Sequence, residues 1–268
     1  MHPSPLPAHL TKHLPLLHYP FRNNNFLLAQ QNDGFSTGTA LWLGAQCLSA
    51  FLAENFTSRN RLKVIELGSG IGLTALAMSS LGWDVLATDL PHIISSVLAQ
   101  NISRNLTRLS GSIQIQELDW TAELPWDDGS PGVTISTSSH PSSASLPEAG
   151  ALSPPFDLIV TADTIYTPEL IQPLLRTLHA LSKISVVPGS RPPLVFVCLE
   201  RRDPELVDRF LACARDPWHF HTEQVQRKKI TKAMEKSGLK WQREDWDDVE
   251  IWKLRWEAET QAHGQTAT

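Results

Sequence analysis

Three glycines follow a short apolar run in the segment VIELGSGIGL, residues 64–73. Gly68, Gly70 and Gly72 alternate with other residues between a predicted strand and a predicted helix. Glycine lets the backbone turn sharply and approach a bound molecule closely, and the first turn of a helix offers free N–H groups. The pattern predicts a binding loop for a nucleotide-type ligand. Tight turns in an α/β fold that binds nothing there are the alternative explanation.

Two acidic residues near this loop narrow the class of ligand. Asp89 ends the next predicted strand, where a carboxylate would accept hydrogen bonds from both hydroxyls of an adenosine ribose. Glu66 precedes the first glycine, and the spacing G-x-G-x-G differs from the G-x-G-x-x-G of dinucleotide binders. A carboxylate at Glu66 would repel a pyrophosphate but attract the cationic methionine end of S-adenosylmethionine. These residues favour S-adenosylmethionine as the ligand and disfavour an NAD-dependent oxidoreductase.

Strands and helices alternate along the chain and would position these residues. Predicted strands occupy residues 61–68, 83–90, 112–120, 156–163, 193–200, 218–225 and 249–256. Predicted helices occupy residues 73–82, 91–105, 167–182 and 203–215, and Pro173 should bend the third of these or shift its start. This alternation is typical of a doubly wound, mostly parallel α/β sheet with helices on both faces.

The remaining segments lie before, within and after this pattern. An amphipathic helix is predicted over Ser36–Asn55, packed on the sheet. Residues 127–155 are rich in Ser, Pro and Gly and are predicted to form a flexible surface insertion. The expected organisation is an N-terminal extension over 1–34, one domain over 35–256 and a C-terminal tail over 257–268.

Composition excludes several classes of function. The net charge of −5 argues against a nucleic-acid binder, apart from a local basic patch at Arg227, Lys228, Lys229 and Lys232. Three widely spaced cysteines indicate neither a disulfide framework nor a metal cluster. No apolar run is long enough to span a bilayer. We expect a soluble monomer in the cytoplasm, with the nucleus as an alternative location.

Four motifs resemble those of the seven-strand S-adenosylmethionine-dependent methyltransferases. They are the glycine loop, ATDLP with Asp89, QELDW with Trp120, and VTADTIYTPELIQPLLRTL. More narrowly, the chain is similar to the protein-lysine methyltransferase branch (methyltransferase-like 21 type), which modifies elongation factors and molecular chaperones. That branch has a Trp before the glycine loop, L-x-W after the third strand and D-x-x-Y after the fourth, matched by Trp42, Leu118-Asp119-Trp120 and Asp163-Thr164-Ile165-Tyr166. The likeness covers residues 35–256 apart from the insertion.

The resemblance implies which residues bind the cofactor. Asp89 would hold the ribose hydroxyls, Trp120 would lie against the adenine, and Trp42 would close the pocket. The glycine loop would face the methionine and ribose. The full set of implied cofactor-binding residues is Trp42, Glu66, Gly68, Ser69, Gly70, Asp89, Trp120 and Ala162.

Asp163 and Tyr166 are the catalytic residues that the resemblance implies. Methyl transfer needs no metal, because the sulfonium methyl is already electrophilic and the enzyme has mainly to align a neutral amine with it. We expect these two side chains to orient the acceptor, with Asp163 also a candidate for taking its proton. The expected function is methylation of a lysine in a protein substrate. A methyltransferase for small amines or pyridine rings and a non-catalytic binding module are the alternatives.

Overall fold

A seven-stranded sheet with helices on both faces organises the protein, in a computed structural model that describes residues 4–31, 37–56, 61–122 and 151–257. In chain order the strands are β1 (Leu16–Phe21), β2 (Asn24–Ala29), β3 (Lys63–Leu67), β4 (Asp84–Asp89), β5 (Ser112–Glu117), β6 (Leu158–Ala162), β7 (Leu194–Glu200), β8 (Phe220–Gln224) and β9 (Val249–Trp256). The α-helices are α1 (Leu43–Asn55), α2 (Leu73–Ser80), α3 (Pro91–Ile93), α4 (Ala99–Asn105), α5 (Ile171–Ile184), α6 (Pro204–Arg215) and α7 (Arg227–Lys236), with a π-helical turn over Ile94–Leu98 between α3 and α4. Short 3₁₀ turns occupy Ala8–Leu10, Thr37–Thr39, Leu106–Arg108, Pro168–Leu170 and Arg243–Asp245.

The strand order of the large sheet is β5-β4-β3-β6-β7-β9-β8. Strands β5, β4, β3, β6 and β7 run parallel, whereas β9 is antiparallel to both of its neighbours. The chain leaves β3 towards β4 on one side and later returns to β6 on the other. The carboxyl ends of β3, β4 and β6 therefore meet where the direction of winding changes, which is where open α/β sheets bind ligands. The predicted fold class is confirmed.

Apolar side chains form a core on each face of the sheet. One core joins the sheet to α1, α2, α4 and α7, and the other joins it to α5 and α6. The central strands are buried on both faces, which explains their continuous apolar sequences.

The segment before residue 35 contributes a hairpin of β1 and β2 that the sequence analysis did not predict. Its side chains Leu17, Tyr19 and Phe26 are buried in the same core as α1 and α2. Side-chain amides on α4 cover the outer edge of β2. Asn101 pairs with the N–H and C=O of Ala29 at 2.7 and 2.8 Å, and Asn105 pairs with those of Leu27 at 3.0 Å each.

Two predicted helices begin later than expected. The helix predicted over Ser36–Asn55 begins at Leu43, and Trp42 before it is extended, with φ −119° and ψ 152°. The helix predicted from residue 167 begins at Ile171 after a 3₁₀ turn. Pro173 therefore lies in the first turn of α5, where a missing N–H costs little, and it shifts the helix start rather than bending the helix.

Most of the predicted insertion, residues 127–150, lies outside the described residues. The last five residues of the insertion are described and contact the sheet. The N–H of Leu152 donates to Gln114 Oε1 at 2.7 Å on β5, and the carbonyl of Ser153 accepts from Lys63 Nζ at 2.8 Å on β3. Leu152 and Ser153 are therefore anchored to β5 and to the start of β3.

Candidate active site

A cavity of about 700 Å³ opens at the carboxyl ends of β3, β4, β6 and β7. This volume lies within the range of small-molecule sites in proteins, about 300–1,000 Å³. Eight of the ten residues predicted for the site line it: Trp42, Gly68, Gly70, Asp89, Trp120, Ala162, Asp163 and Tyr166. Glu66 and Ser69 do not line it.

The glycine loop has a backbone that other residues would obstruct. Gly68 has φ +68°, and a Cβ at this position would lie 2.8 Å from Thr164 Cγ2 and 3.3 Å from the Trp120 ring. Gly70 has φ +55°, and its Cβ would lie 3.1 Å from the carbonyl oxygen of Gly38. Both positive φ values and both close approaches require glycine. The missing side chain at Gly68 thereby allows Thr164 and the indole of Trp120 to pack directly against the loop.

Asp89 ends β4 with its carboxylate fixed by the backbone on either side. Its Oδ2 accepts a hydrogen bond from the N–H of Gly70 at 2.7 Å, and its Oδ1 accepts one from the N–H of Leu90 at 2.8 Å. Each oxygen keeps a lone pair for a further donor, as a ribose diol requires. Burial raises the pKa of Asp89, and the two backbone N–H groups oppose this rise.

Glu66 requires a correction to the sequence analysis. Its side chain is 2% exposed and faces the hydroxyls of Ser69 and Thr74 behind the loop. Burial raises the pKa of Glu66 to about 8, so the side chain is mostly neutral at pH 7. It cannot act as an exposed carboxylate that selects a cationic ligand. Ser69 is also buried, and it lies beside Glu66 inside the loop.

The buried Glu66 predicts a pH-dependent stability. Its pKa rises from 4.5 in the unfolded chain to about 8 in the folded one, so the folded state loses stability as pH rises through that window. Glu66→Gln has no proton to release, and we expect its melting temperature relative to the wild type to rise steadily across the window and then level off. Glu117→Gln, at an exposed carboxylate on β5, is the control. A Glu66→Gln difference that does not change with pH would contradict this account.

Asp163 follows β6 and joins three elements. Its Oδ2 accepts from the N–H of Gly44 in the first turn of α1 at 2.6 Å, and its Oδ1 accepts from the N–H of Glu200 at the end of β7 at 3.2 Å. Its own N–H donates to the carbonyl of Cys198 at 2.9 Å. This carboxylate satisfies an N–H at the start of α1, which explains why that helix begins at Leu43.

The position of Asp163 is both strained and crowded. Its φ of +54° is left-handed, a conformation that Asp tolerates better than most residues. A Cβ on Gly44 would lie 2.5 Å from its Oδ2, so only glycine allows this contact. Burial raises the pKa of Asp163 to about 6. Each carboxylate oxygen thus already accepts a backbone hydrogen bond, and Asp163 thereby positions α1 and β7 around the cavity.

The turn after β6 orients Tyr166. Thr161 donates to the carbonyl of Leu67 at 2.9 Å, and the hydroxyls of Thr161 and Thr164 lie 2.7 Å apart. These contacts fasten the turn to the end of β3, next to the glycine loop. Tyr166 follows on the cavity lining with 55% of its surface exposed. An exposed phenol beside a cavity can contact both a bound molecule and an approaching partner.

Two tryptophans lie at different parts of the cavity wall. Trp120 is held by α5, since Arg176 Nη2 donates to the carbonyls of Trp120 and Ala122 at 2.6 and 2.7 Å. Trp42 is fixed by its Nε1, which donates to the carbonyl of Thr37 at 2.6 Å.

Sequence reasoning missed several residues at the cavity. Glu200 and Arg202, which form an ion pair, line it from the end of β7. Their position after a predicted parallel strand was an available signal, because such strand ends share one edge of the sheet. Lys12 approaches from the N-terminal segment, with its Nζ 3.5 Å from the centroid of the Trp42 ring. Nothing in the sequence pattern indicated this contact.

Other chemistry is not found among the described residues. Within residues 4–31, 37–56, 61–122 and 151–257, no group of three His, Cys, Asp or Glu side chains is arranged to hold a metal. In the same part of the chain, no helix has the length and apolar character needed to cross a membrane. The basic patch on α7 lies away from the cavity, and its Arg227 is paired with Asp247.

Comparison with known proteins indicates the family that this chain resembles. A model of the lysine methyltransferase family matches residues 21–132, which include the glycine loop, Asp89 and Trp120. The protein-lysine methyltransferase METTL21E of Bos taurus is 29% identical over 248 residues, covering 90% of this chain and 75% of that protein. The protein-lysine N-methyltransferase EEF2KMT of Homo sapiens is 31% identical over 178 residues, covering 65% of this chain and 49% of that protein. That second match thus spans about half the length of the human protein.

A solved structure supports the fold. The protein SMU.776, crystallised with SAH, superposes with a TM-score of 0.51 at 9% identity, covering 90% of this chain and 56% of that chain. At this identity the likeness concerns the arrangement of the sheet and helices alone.

Proposed function

Because the chain belongs to the S-adenosylmethionine-dependent protein-lysine methyltransferases, we propose that the cavity described above holds the cofactor and admits a lysine of a protein substrate. The observation that carries this proposal is the shared lining of one cavity. The glycine loop and Asp89 form one part of its wall, and the D-x-x-Y turn and Trp42 form another. A methyl donor and its acceptor have to meet in one such space.

The residues present suit S-adenosylmethionine. Trp120 lines the cavity next to Gly68, and a flat adenine would stack against its indole ring. Asp89 would accept the two ribose hydroxyls with the lone pairs that the backbone leaves free. When bound there, S-adenosylmethionine supplies an electrophilic methyl on a sulfonium sulfur.

The chain's own residues would deprotonate and orient the acceptor lysine. A lysine amine has a pKa of about 10.4 in water and must be neutral to react. The part of the cavity lined by Trp42 and Tyr166 would remove water from the ammonium and lower its pKa. Tyr166 offers a hydroxyl to the amine. Asp163 stabilises this part of the cavity wall, because its two oxygens hold α1 and β7 in place.

We expect Tyr166→Phe to lower methyl transfer at least about tenfold, near 1.4 kcal/mol in the transition state. Cofactor affinity should change much less, because Tyr166 is not assigned to the ribose or adenine. Tyr19→Phe is the matched control, since Tyr19 is the other tyrosine of the chain and is buried in the hairpin. Equal losses of turnover and cofactor affinity in Tyr166→Phe would show that Tyr166 binds the cofactor and would contradict its role towards the acceptor.

Labelled S-adenosylmethionine separates the proposal from its alternatives. The protein is incubated with it and with a lysate of cells that lack this chain, and acid-precipitable label is compared with label in the soluble small molecules. We expect a discrete labelled protein of the cytoplasm or nucleus. Label confined to small molecules would support an enzyme for small amines. Cofactor binding without any transfer would support a binding module.

A further inference from the structure

Lys12 places a primary amine at the edge of the candidate active site. Its Nζ lies 3.5 Å from the centroid of the Trp42 ring, which lines the cavity. Arg202 Cζ lies 4.8 Å from the same centroid. An aromatic face attracts cations, and this ring therefore holds two of them beside the space where an acceptor lysine has to enter.

The backbone around Lys12 is fixed in this position. The side chain of Gln30, 4% exposed, donates from Nε2 to the carbonyls of Thr11 and Leu14 at 2.5 and 2.6 Å. Its Oε1 accepts from the N–H of Leu41 at 3.0 Å. One buried amide therefore ties the turn that bears Lys12 to the residue that precedes Trp42. The linked backbones therefore keep Lys12 close to Trp42 and to the cavity that Trp42 lines.

The charged side chains that affect the pKa of Lys12 all line the cavity. Partial burial lowers the pKa of Lys12, the Arg202 cation lowers it further, and Glu200 and Asp163 oppose these effects. Arg202, Glu200 and Asp163 each line the cavity. A lowered pKa increases the share of neutral amine, which is the form that accepts a methyl group.

We propose that Lys12 is a built-in methyl acceptor, so that the protein methylates its own N-terminal segment at this residue. The inference rests on the proposed function. The Lys12 nitrogen donates its lone pair to the methyl carbon, the carbon–sulfur bond breaks with its electron pair left on sulfur, and the nitrogen releases one proton to water. S-adenosylhomocysteine is the second product.

Tethering favours this reaction over a bimolecular one. An amine fixed on the same chain has an effective concentration of the order of millimolar or more, well above that of a free protein substrate. Lys63 provides a matched comparison, because its Nζ also lies near an aromatic ring, 5.9 Å from the centroid of Phe156. It is the first residue of the central strand β3, whose other end lies at the cavity.

The test follows peptide masses after incubation of the purified protein with S-adenosylmethionine alone. We expect methyl groups on the peptide that contains Lys12, none on the peptide that contains Lys63, and a first-order rate that is unchanged over an about tenfold range of protein concentration. Lys12→Arg should abolish the modification and Lys63→Arg should preserve it. Methylation of lysate proteins with Lys12 unmodified would overturn this inference and leave the proposed function standing. A rate that rises with protein concentration would also overturn it.

A binding measurement tests the same placement without turnover. The lysines are dimethylated chemically with ¹³C-formaldehyde, and the Lys12 signal is assigned by its loss in Lys12→Arg. Adding S-adenosylhomocysteine should shift the Lys12 signal and leave the Lys63 signal in place. An unshifted Lys12 signal, with cofactor binding verified by titration, would show that this side chain does not face the cofactor and would overturn the inference.

Discussion

Replacing Gly68 by alanine should weaken S-adenosylmethionine binding at least about 100-fold, or 2.7 kcal/mol. The new Cβ would lie 2.8 Å from Thr164 Cγ2 and 3.3 Å from the Trp120 ring. Either the loop or Thr164 has to move, and the Trp120 ring has to shift slightly; all three belong to the wall where the adenosine would bind. Titration calorimetry on the folded variant measures this effect.

Gly82→Ala is the matched control for this substitution. Gly82 also has a positive φ, +94°, but a Cβ there would have nothing within 4 Å. Both variants bear the cost of a left-handed alanine, about 1 kcal/mol in stability. Only Gly68→Ala should lose cofactor affinity. Normal binding by soluble Gly68→Ala would rule out the proposed role of the loop.

Asp89→Ala should weaken S-adenosylmethionine binding by about 2–3 kcal/mol, because two charge-assisted hydrogen bonds to the ribose are removed. The variant also frees the N–H of Gly70, which Asp89 holds at 2.7 Å. The glycine loop should therefore become more mobile, which hydrogen exchange at the Gly70 amide would detect.

Asp84→Ala provides the comparison on the same strand. Asp84 begins β4 at the end remote from the cavity and pairs with Arg61. It should lose some stability but no cofactor affinity. If Asp89→Ala binds the cofactor within about twofold of the wild type, a difference near 0.4 kcal/mol, the assignment of Asp89 is wrong.

The sequence predicted the parts of the site that local chemistry determines. A strand, alternating glycines and a helix occupy contiguous residues, so Gly68 and Gly70 could be placed from their neighbours alone. Asp89 ends β4 and Trp120 follows β5, and the carboxyl ends of these adjacent parallel strands have to lie on the same side of the sheet. The D-x-x-Y turn follows β6 by the same rule.

The parts that the sequence did not predict depend on contacts between distant segments. The start of α1 is set by Asp163, whose carboxylate reaches Gly44 from a turn far along the chain. Glu66 has the same sequence context whether it is exposed or buried, and only the packed structure shows that its charge is suppressed. The hairpin of β1 and β2 depends on Asn101 and Asn105, which complete its edge from α4.

The identity of the methylated amino acid tests the central claim most directly. The protein labelled in the lysate is isolated and hydrolysed, and the labelled amino acid is identified by chromatography against methylated standards. We expect all of the label in Nε-methylated lysine, and at least about 30-fold less label when Asp89→Ala replaces the wild type at limiting cofactor. Label in methyl-arginine or methyl-histidine, or label released by mild base as from a carboxyl ester, would contradict a lysine methyltransferase.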